Sequence, residues 1–507
     1  MEAIPRNNPT VLFSLFVFSV TALLFLWRLF FQSRDLRHIP GPLGARLTNF
    51  WLVSKYRRGI LFKDIALDLN KRYGPVVRYG PRRVLFSDAS AINVIFNTRN
   101  TLPKAESYEV MNQIVNGKVI SSWATTRDEA HISAMKKQVI SAFTTTAILD
   151  YEPHIDHNIN FLVAKLQKDS MDSPEVNIAK FIIFFAFDTI CRIAFSDDQG
   201  FMAKQADLGN TLEAARLRFQ HWHFWGPVPA LERLLFKNRF VARTSPTSLL
   251  GKLASERLQS RMEKGGLGTE SDLLDRYLQA AQRDPATFTP STLIGILIST
   301  IHAGAETTAS TVNACLYNLL RNPDALAKLR AELDAANLSS PPLWSEVSRL
   351  RYLEACFRES MRLVPLLINP IERDVPPSGA TVAGTFVPGG TVVSLNVHAL
   401  NRDPAVYGED VDSFRPERWL LDDEGDEGDE ARRARMQRAD MTFSQGRRSC
   451  IGQHIAWIEM KKVLPALLTK FDIELVHPDE PLSMPTKQLV VLIDNLHVRL
   501  SPRKVES

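Results

Sequence analysis

Ten residues near the end of the chain constrain it most: Phe443, Ser444, Gln445, Gly446, Arg447, Arg448, Ser449, Cys450, Ile451 and Gly452. With this chain's own residue frequencies, the spacing Phe-x-x-Gly-x-Arg-x-Cys-x-Gly arises by chance in fewer than about one chain in ten thousand. A largely apolar run from Ile451 to Val463 follows and reads as a helix, whose N-terminal dipole favours a thiolate at Cys450. The other cysteines, Cys191, Cys315 and Cys356, are scattered, which leaves neither a disulfide framework nor a paired-cysteine zinc site. The plain alternative is a structural cysteine buried in a glycine-rich turn.

A second segment sharpens the choice. Thr289 and Pro290 form an N-cap followed by proline at the first helical position, and no proline interrupts the pattern before Asn322 and Pro323. That predicts about 31 helical residues, or ~46 Å. In its middle stand Ala303, Gly304, Ala305, Glu306, Thr307 and Thr308. Glycine inside a helix costs ~1 kcal/mol relative to alanine and needs a reason. With a bare Gly304 and a Thr307 hydroxyl able to bond the Ala303 carbonyl, the helix can open locally and leave a groove. His302 and Glu306 are an i, i+4 pair, and a packed histidine is the simpler reading of His302.

Together these segments resemble the cytochrome P450 family, and the resemblance runs from Pro40 to about Arg499. It implies heme b (iron protoporphyrin IX) with Cys450 as the iron ligand, and Phe443 and Gly446 as parts of the same heme-binding loop. It also implies that Glu306 and Thr307 deliver protons beside the bound dioxygen. Arg448 and Arg373 match positions that hold the heme propionates. After His131, where that family carries a further arginine, this chain has Met135, Lys136 and Lys137. Lys136 then offers a point charge where a bidentate fork is usual. Glu359-x-x-Arg362 is a weak pattern alone, since Glu213/Arg216, Glu346/Arg349 and Glu430/Arg433 repeat it. Only Glu359 lies in an apolar helix and precedes Phe414, Arg415, Pro416, Glu417, Arg418 and Trp419, which resembles the family's buried Glu-Arg cluster.

The remaining patterns agree with a mainly α fold with a minor β region. Glu213 to Phe219, Pro323 to Ala336 and Glu346 to Leu363 read as helices; Val76 to Phe86, Thr381 to Val397 and Leu489 to Leu500 are β-prone. Asp422 to Glu430, with seven acids, reads as a solvated loop. At the N-terminus Val11 to Trp27 carries no charge, and the apolar run resumes at Leu29 to Phe31. Those positions span about 32 Å of helix, enough for a bilayer core of ~30 Å. A cleaved signal peptide competes, but no small-x-small site follows. One basic residue, Arg6, precedes the run, while Arg28, Arg34 and Arg37 end it, so the bulk of the chain is expected in the cytosol. The expected organisation is a short lumenal segment 1–10, a single transmembrane helix 11–31, a Pro/Gly hinge 32–45 and a heme-thiolate catalytic domain 46–507, the protein sitting single-pass in the endoplasmic reticulum membrane.

Among 507 residues the formal charge is only +5, which excludes a nucleic-acid-binding role, and no dinucleotide or nucleoside triphosphate fingerprint occurs. Electrons must come from outside, which the resemblance implies to be NADPH through NADPH-cytochrome P450 reductase, with cytochrome b5 a candidate second donor. Arg447, Lys461 and Lys462 are the basic residues expected to steer that partner. Lys104 to Ser122, Phe219 to Trp225, Ile296 to Ala303 and Leu366 to Ile371 are the segments expected to line the pocket. They are mostly apolar or aromatic, so a lipophilic small molecule is expected, in the style of fungal secondary-metabolism members. A heme-thiolate isomerase or dehydratase without external electrons, and a non-catalytic heme-binding membrane protein, are the rival readings.

Overall fold

A computed structural model describes residues 9, 12–20, 23, 34–197, 199–268, 271–420, 427–484 and 491–503. The expected lumenal segment and much of the expected anchor lie outside the described residues. Residues 12–20 are helical and expose large apolar side chains, but among the described residues no helix is long and apolar enough to cross a membrane.

Eight helices carry the argument: α1 (Glu129–Val139), α2 (Glu152–Asp172), α3 (Ile178–Phe195), α4 (Thr211–Trp225), α5 (Pro290–Gly304), α6 (Glu306–Arg321), α7 (Arg351–Leu363) and α8 (Gln453–Lys470). Helix α3 is buried almost throughout, and α6 packs against α3, α7 and α8, so the main core surrounds the middle of the chain. A four-stranded sheet lies to one side. Its order is Val76–Gly80, Arg83–Phe86, Val392–Leu395, Arg373–Asp374, with the middle pair parallel and the outer pairs antiparallel. This pairing fixes Arg373 opposite Val393. A second sheet joins Phe471–Leu475, His497–Pro502 and Glu175–Asn177.

Most expected elements form where the patterns put them, including the helix Pro323–Ala336 and the hairpin at Val76 to Phe86. Three differ. The stretch Glu346 to Leu363 is two helices, Trp344–Val347 and α7. The Leu489 to Leu500 strand begins only at His497, the residues before 491 lying outside the described set. The acidic segment is helical from Glu427, inside Glu427–Ala439, its earlier part being outside the described residues.

The long central helix starts as its cap predicts, with the Thr289 side chain accepting from the Thr292 amide. It does not run unbroken. Ala305, at φ −88° and ψ −69°, separates α5 from α6. Gly304 has a packing reason that sequence reading attributed to a groove alone: a Cβ there would meet Ile190 Cγ1 of α3 at 2.5 Å. The helix opens, and its bare position also lets two core helices touch.

Candidate active site

The cysteine loop is a tight backbone structure closed by the Cys450 amide donating to the Phe443 carbonyl at 2.8 Å. Gly446 sits at φ +70°, and a Cβ on it would lie 1.9 Å from the Phe96 carbonyl oxygen, so only glycine fits. The Gly452 amide bonds the Cys450 sulfur, as expected of a loop that turns its amides toward a thiolate. Burial pushes the Cys450 thiol above its ordinary value, while that amide and the Lys136 charge pull it down. The side chain lies in desolvated surroundings but keeps accessible surface, so it faces an internal cleft.

Four cations gather at that cleft. Arg448 is held by Glu129 of α1, with Nη2 to Oε1 at 2.7 Å and Nε to Oε1 at 2.9 Å, yet its buried Nη1 has no partner. Arg373 is buried over the Phe96 ring, donates Nη1 to the Glu372 carbonyl at 2.9 Å, and leaves Nε unpartnered. Lys136 donates to the Arg447 carbonyl at 2.6 Å and to the Ser449 carbonyl at 3.4 Å, so two of its donors clamp the cysteine loop. Lys104, which sequence reading placed only among pocket-lining residues, completes the group. Burial and the charges of Arg373, Arg448 and Lys136 push its ammonium well below the ordinary value, and Glu129 alone opposes them. Unpartnered guanidinium nitrogens and a cluster of four cations that Glu129 compensates only in part, beside a thiol, fit a heme, whose two propionates would supply the missing charge.

At the helix break the Thr307 hydroxyl donates to the Ala303 carbonyl at 2.7 Å, the bond its spacing predicts. Ala303 and Thr307 keep accessible surface there, whereas Glu306 turns into the protein and is buried. Its Oε1 accepts from Arg216 Nε of α4 at 3.2 Å and its Oε2 is buried without a partner. Burial raises its carboxyl to about 7 against the pull of Arg216. Arg216 also reaches Asp494 Oδ2 at 3.0 Å, linking the buried acid to a partly exposed one. Neither residue was singled out from sequence, where Arg216 figured only in a competing Glu-x-x-Arg pattern. His302 is packed, as its simpler reading held: it stacks on Phe219 at 4.2 Å and faces the Ala215 carbonyl at 3.4 Å.

The Glu359 cluster is also as expected. Glu359 accepts from Arg362 Nε at 2.9 Å and Nη2 at 2.8 Å and from Arg418 Nε at 3.0 Å, all buried, and from the half-buried Trp419 Nε1 at 2.9 Å. It ties α7 to the segment that leads into the cysteine loop.

Lys461 and Lys462 are not surface residues, which corrects the expected docking face. Both are at most 2% exposed. Lys461 pairs with Glu354 at 2.8 Å and Lys462 with Glu152 and, at 2.5 Å, Asp156. Helix α8 is covered by α2, α6 and neighbouring elements, so its lysines bond inward. Of the three expected docking cations only Arg447 is exposed, its Nη2 donating to the Thr98 carbonyl at 3.1 Å.

Comparison with known proteins agrees with this geometry. The family model for cytochrome P450 matches residues 40–500. The chain is 32% identical over 515 residues to cytochrome P450 monooxygenase cicH of Emericella nidulans, covering 97% of each. It is 32% identical over 486 residues to a cytochrome P450 monooxygenase of Aspergillus terreus, covering 92% of this chain and 95% of that one. A third relative, cytochrome P450 monooxygenase mfmA of Annulohypoxylon moriforme, is 32% identical with 88% of each chain covered. With a thiol under a loop amide, a cation cradle beside it, a broken helix carrying an acid and a hydroxyl, and full-length relatives of one kind, the chain belongs to the cytochrome P450 family and is one of its monooxygenases.

Proposed function

We propose that this enzyme inserts one oxygen atom of dioxygen into a lipophilic small molecule, using heme b and electrons from NADPH delivered by a separate NADPH-cytochrome P450 reductase, with cytochrome b5 as a second donor. The observation that carries the reading is the Glu306 and Thr307 pair at the helix break, since a buried acid raised to about 7 next in the chain to a partly accessible hydroxyl held by the Ala303 carbonyl has a use where protons must be delivered. A heme-thiolate isomerase needs no such pair. When bound, the heme supplies dioxygen binding and cleavage at a thiolate-ligated iron. The chain's own residues do the rest. Cys450 would ligate the iron, with the Gly452 amide tempering its charge. Arg373, Arg448, Lys104 and Lys136 would receive the propionates, while Phe443 and Gly446 shape the loop beneath. Thr307 holds a hydroxyl at the cleft, and Glu306 holds a proton that Arg216 and Asp494 connect toward solvent.

The relatives are fungal proteins, which supports a role in fungal secondary metabolism. Exposed apolar side chains such as Phe13 and Phe18 on the helical residues 12–20, followed by Arg34 and Arg37, support a single-pass anchor in the endoplasmic reticulum membrane with the catalytic domain in the cytosol. The donor would meet the face around Arg447 and the neighbouring exposed Lys137. The test is reconstitution of the full chain with NADPH and the reductase. Reduced enzyme with carbon monoxide should show the red-shifted Soret band of a thiolate-ligated heme, and NADPH and oxygen should be consumed together. Cys450→Ala should lose the band, and Arg447→Glu should slow iron reduction at low ionic strength. A Cys450→Ala protein that keeps the band, or a wild-type chain that consumes no oxygen, would end the reading.

A further inference from the structure

Arg218 lies on α4 with Ala215 and Trp222 one turn to either side, at the border of the inward face that carries Ala215 and Phe219. Ala215 and Phe219 both contact His302 of α5. Phe219 and Trp222 join Met111, Leu366 and Leu492 in one apolar cluster. Residues of all four segments expected to line the pocket therefore meet around this part of α4. A direct contact comes from Gln113, two residues beyond Met111. With the Gln113 amide turned so that its nitrogen faces Ser248, its oxygen accepts from Arg218 Nη1 at 3.1 Å and Nε at 3.0 Å. That region is pressed against α5, where a Cβ on Gly295 would lie 2.3 Å from the Ser121 carbonyl.

The charge of Arg218 is not met. The carboxylate that acts on it is Glu232, and Glu232 already accepts from Lys237 and from His221 Nε2 at 2.9 Å. One acid thus faces two buried cations. Desolvation pushes the guanidinium down to about 9, although the side chain keeps accessible surface. Its accessible surface therefore lies within desolvated surroundings, and Nη2 is the guanidinium nitrogen that the Gln113 oxygen leaves unengaged. A desolvated guanidinium with an open nitrogen gains most from an anionic acceptor.

We propose that Arg218 is a specificity-determining residue that binds a carboxylate on the substrate, so that this enzyme oxidises a lipophilic carboxylic acid held at its polar end by Arg218 and at its apolar body by Met111, Phe219, Trp222 and Leu366. The inference rests on the monooxygenase reading for the use of this pocket and narrows its substrate class. A neutral lipophile would leave the buried charge unanswered.

The test uses the ferric heme-loaded full chain and the spin-state difference spectrum, with dodecanoic acid, 2-naphthoic acid and a tricyclic diterpene acid as probes, each against its methyl ester. In wild type at least one acid should bind about tenfold or more tightly than its ester, the size of a charge-assisted hydrogen bond. Arg218→Leu should erase that preference by weakening the acid and not the ester, and Arg218→Lys should keep part of it. No acid preferred over its ester in wild type, or a preference that survives in Arg218→Leu, would overturn the proposal. A second measurement separates a structural role. Arg218→Leu should lower the thermal midpoint far less than Arg362→Leu, which strips a fully paired arginine, and an equal drop would also overturn it. The carbon monoxide band is read in every variant: its absence from wild type would strike the wider reading, whereas a normal band with no acid preference strikes this inference alone.

Discussion

Replacing Glu306 by glutamine removes one titration and nothing of the side chain's shape. In the fold this carboxyl is 1% exposed, and burial lifts it from 4.5 to about 7, with Asp494 and Asp207 pushing the same way and Arg216 opposing. The folded value exceeds the unfolded one, so below 4.5 both states hold the proton and the group's contribution is complete. As the pH rises past 4.5 the unfolded chain releases its proton first, the folded state binds more, and stability falls until the folded carboxyl also ionises near 7. Between 4.5 and about 7, at ~1.4 kcal/mol per pH unit, on the order of 3 kcal/mol is lost by wild type and not by Glu306→Gln. Urea unfolding of the heme-loaded proteins, followed by tryptophan fluorescence between pH 5 and 8, reads the difference between the two, in which every other carboxylate cancels. The Gln variant should gain on wild type steadily to about pH 7 and then level off. A difference that stays flat over this range would refute the burial argument, and with it the idea that Glu306 keeps a proton in reserve near neutrality.

Thr307→Ala should bind heme and substrate as wild type does while diverting reducing equivalents to hydrogen peroxide, measured as peroxide formed per NADPH oxidised; unchanged coupling would count against the hydroxyl. Gly446→Ala places a Cβ 1.9 Å from the Phe96 carbonyl at a left-handed backbone position, so the purified protein should hold far less heme per chain, and normal heme content would show the loop to be softer than its contacts imply. Glu359→Gln takes the carboxylate from buried Arg362 and leaves Arg418 with Asp410 alone, and unfolding should become easier by about 3–5 kcal/mol; a loss below about 1 kcal/mol would mean that Asp410 and the backbone carbonyls around the two arginines suffice.

What could be read from sequence was local. The Thr289 cap, the Thr307 bond to Ala303 and the Glu359 to Arg362 pair all join residues within one helical turn or so, where spacing dictates contact. The cysteine loop was legible for a related reason, since its glycines and its sulfur constrain one another within ten residues. What escaped was set by distant partners. Gly304 is small because Ile190 of another helix presses on it. Lys461 and Lys462 look like a solvated pair until Glu152, Asp156 and Glu354 arrive from α2 and α7. The spacing of Glu152 and Asp156, one turn apart, was the available hint that α2 presents an anionic face. Lys104 lies in a loop and Arg216 on a helix of little amphipathicity, so no periodicity marked either as part of the site. The one hint at Arg218 was its place between Ala215 and Trp222, each one helical turn away.

The buried lysines of α8 have an evolutionary consequence. They fasten the helix behind the sulfur to α2 and α7 through ion pairs, and removing the acids from such a pair strands a buried ammonium at a cost of about 3–5 kcal/mol. The opposite wall is made of Met111, Phe219, Trp222, Leu366 and Leu492, where exchanging one apolar side chain for another of similar volume usually costs less than about 1.5 kcal/mol. Mutational drift therefore meets two very different slopes within one molecule. Descendants of this chain can wander in what they oxidise while the metal's own seat stays where it is.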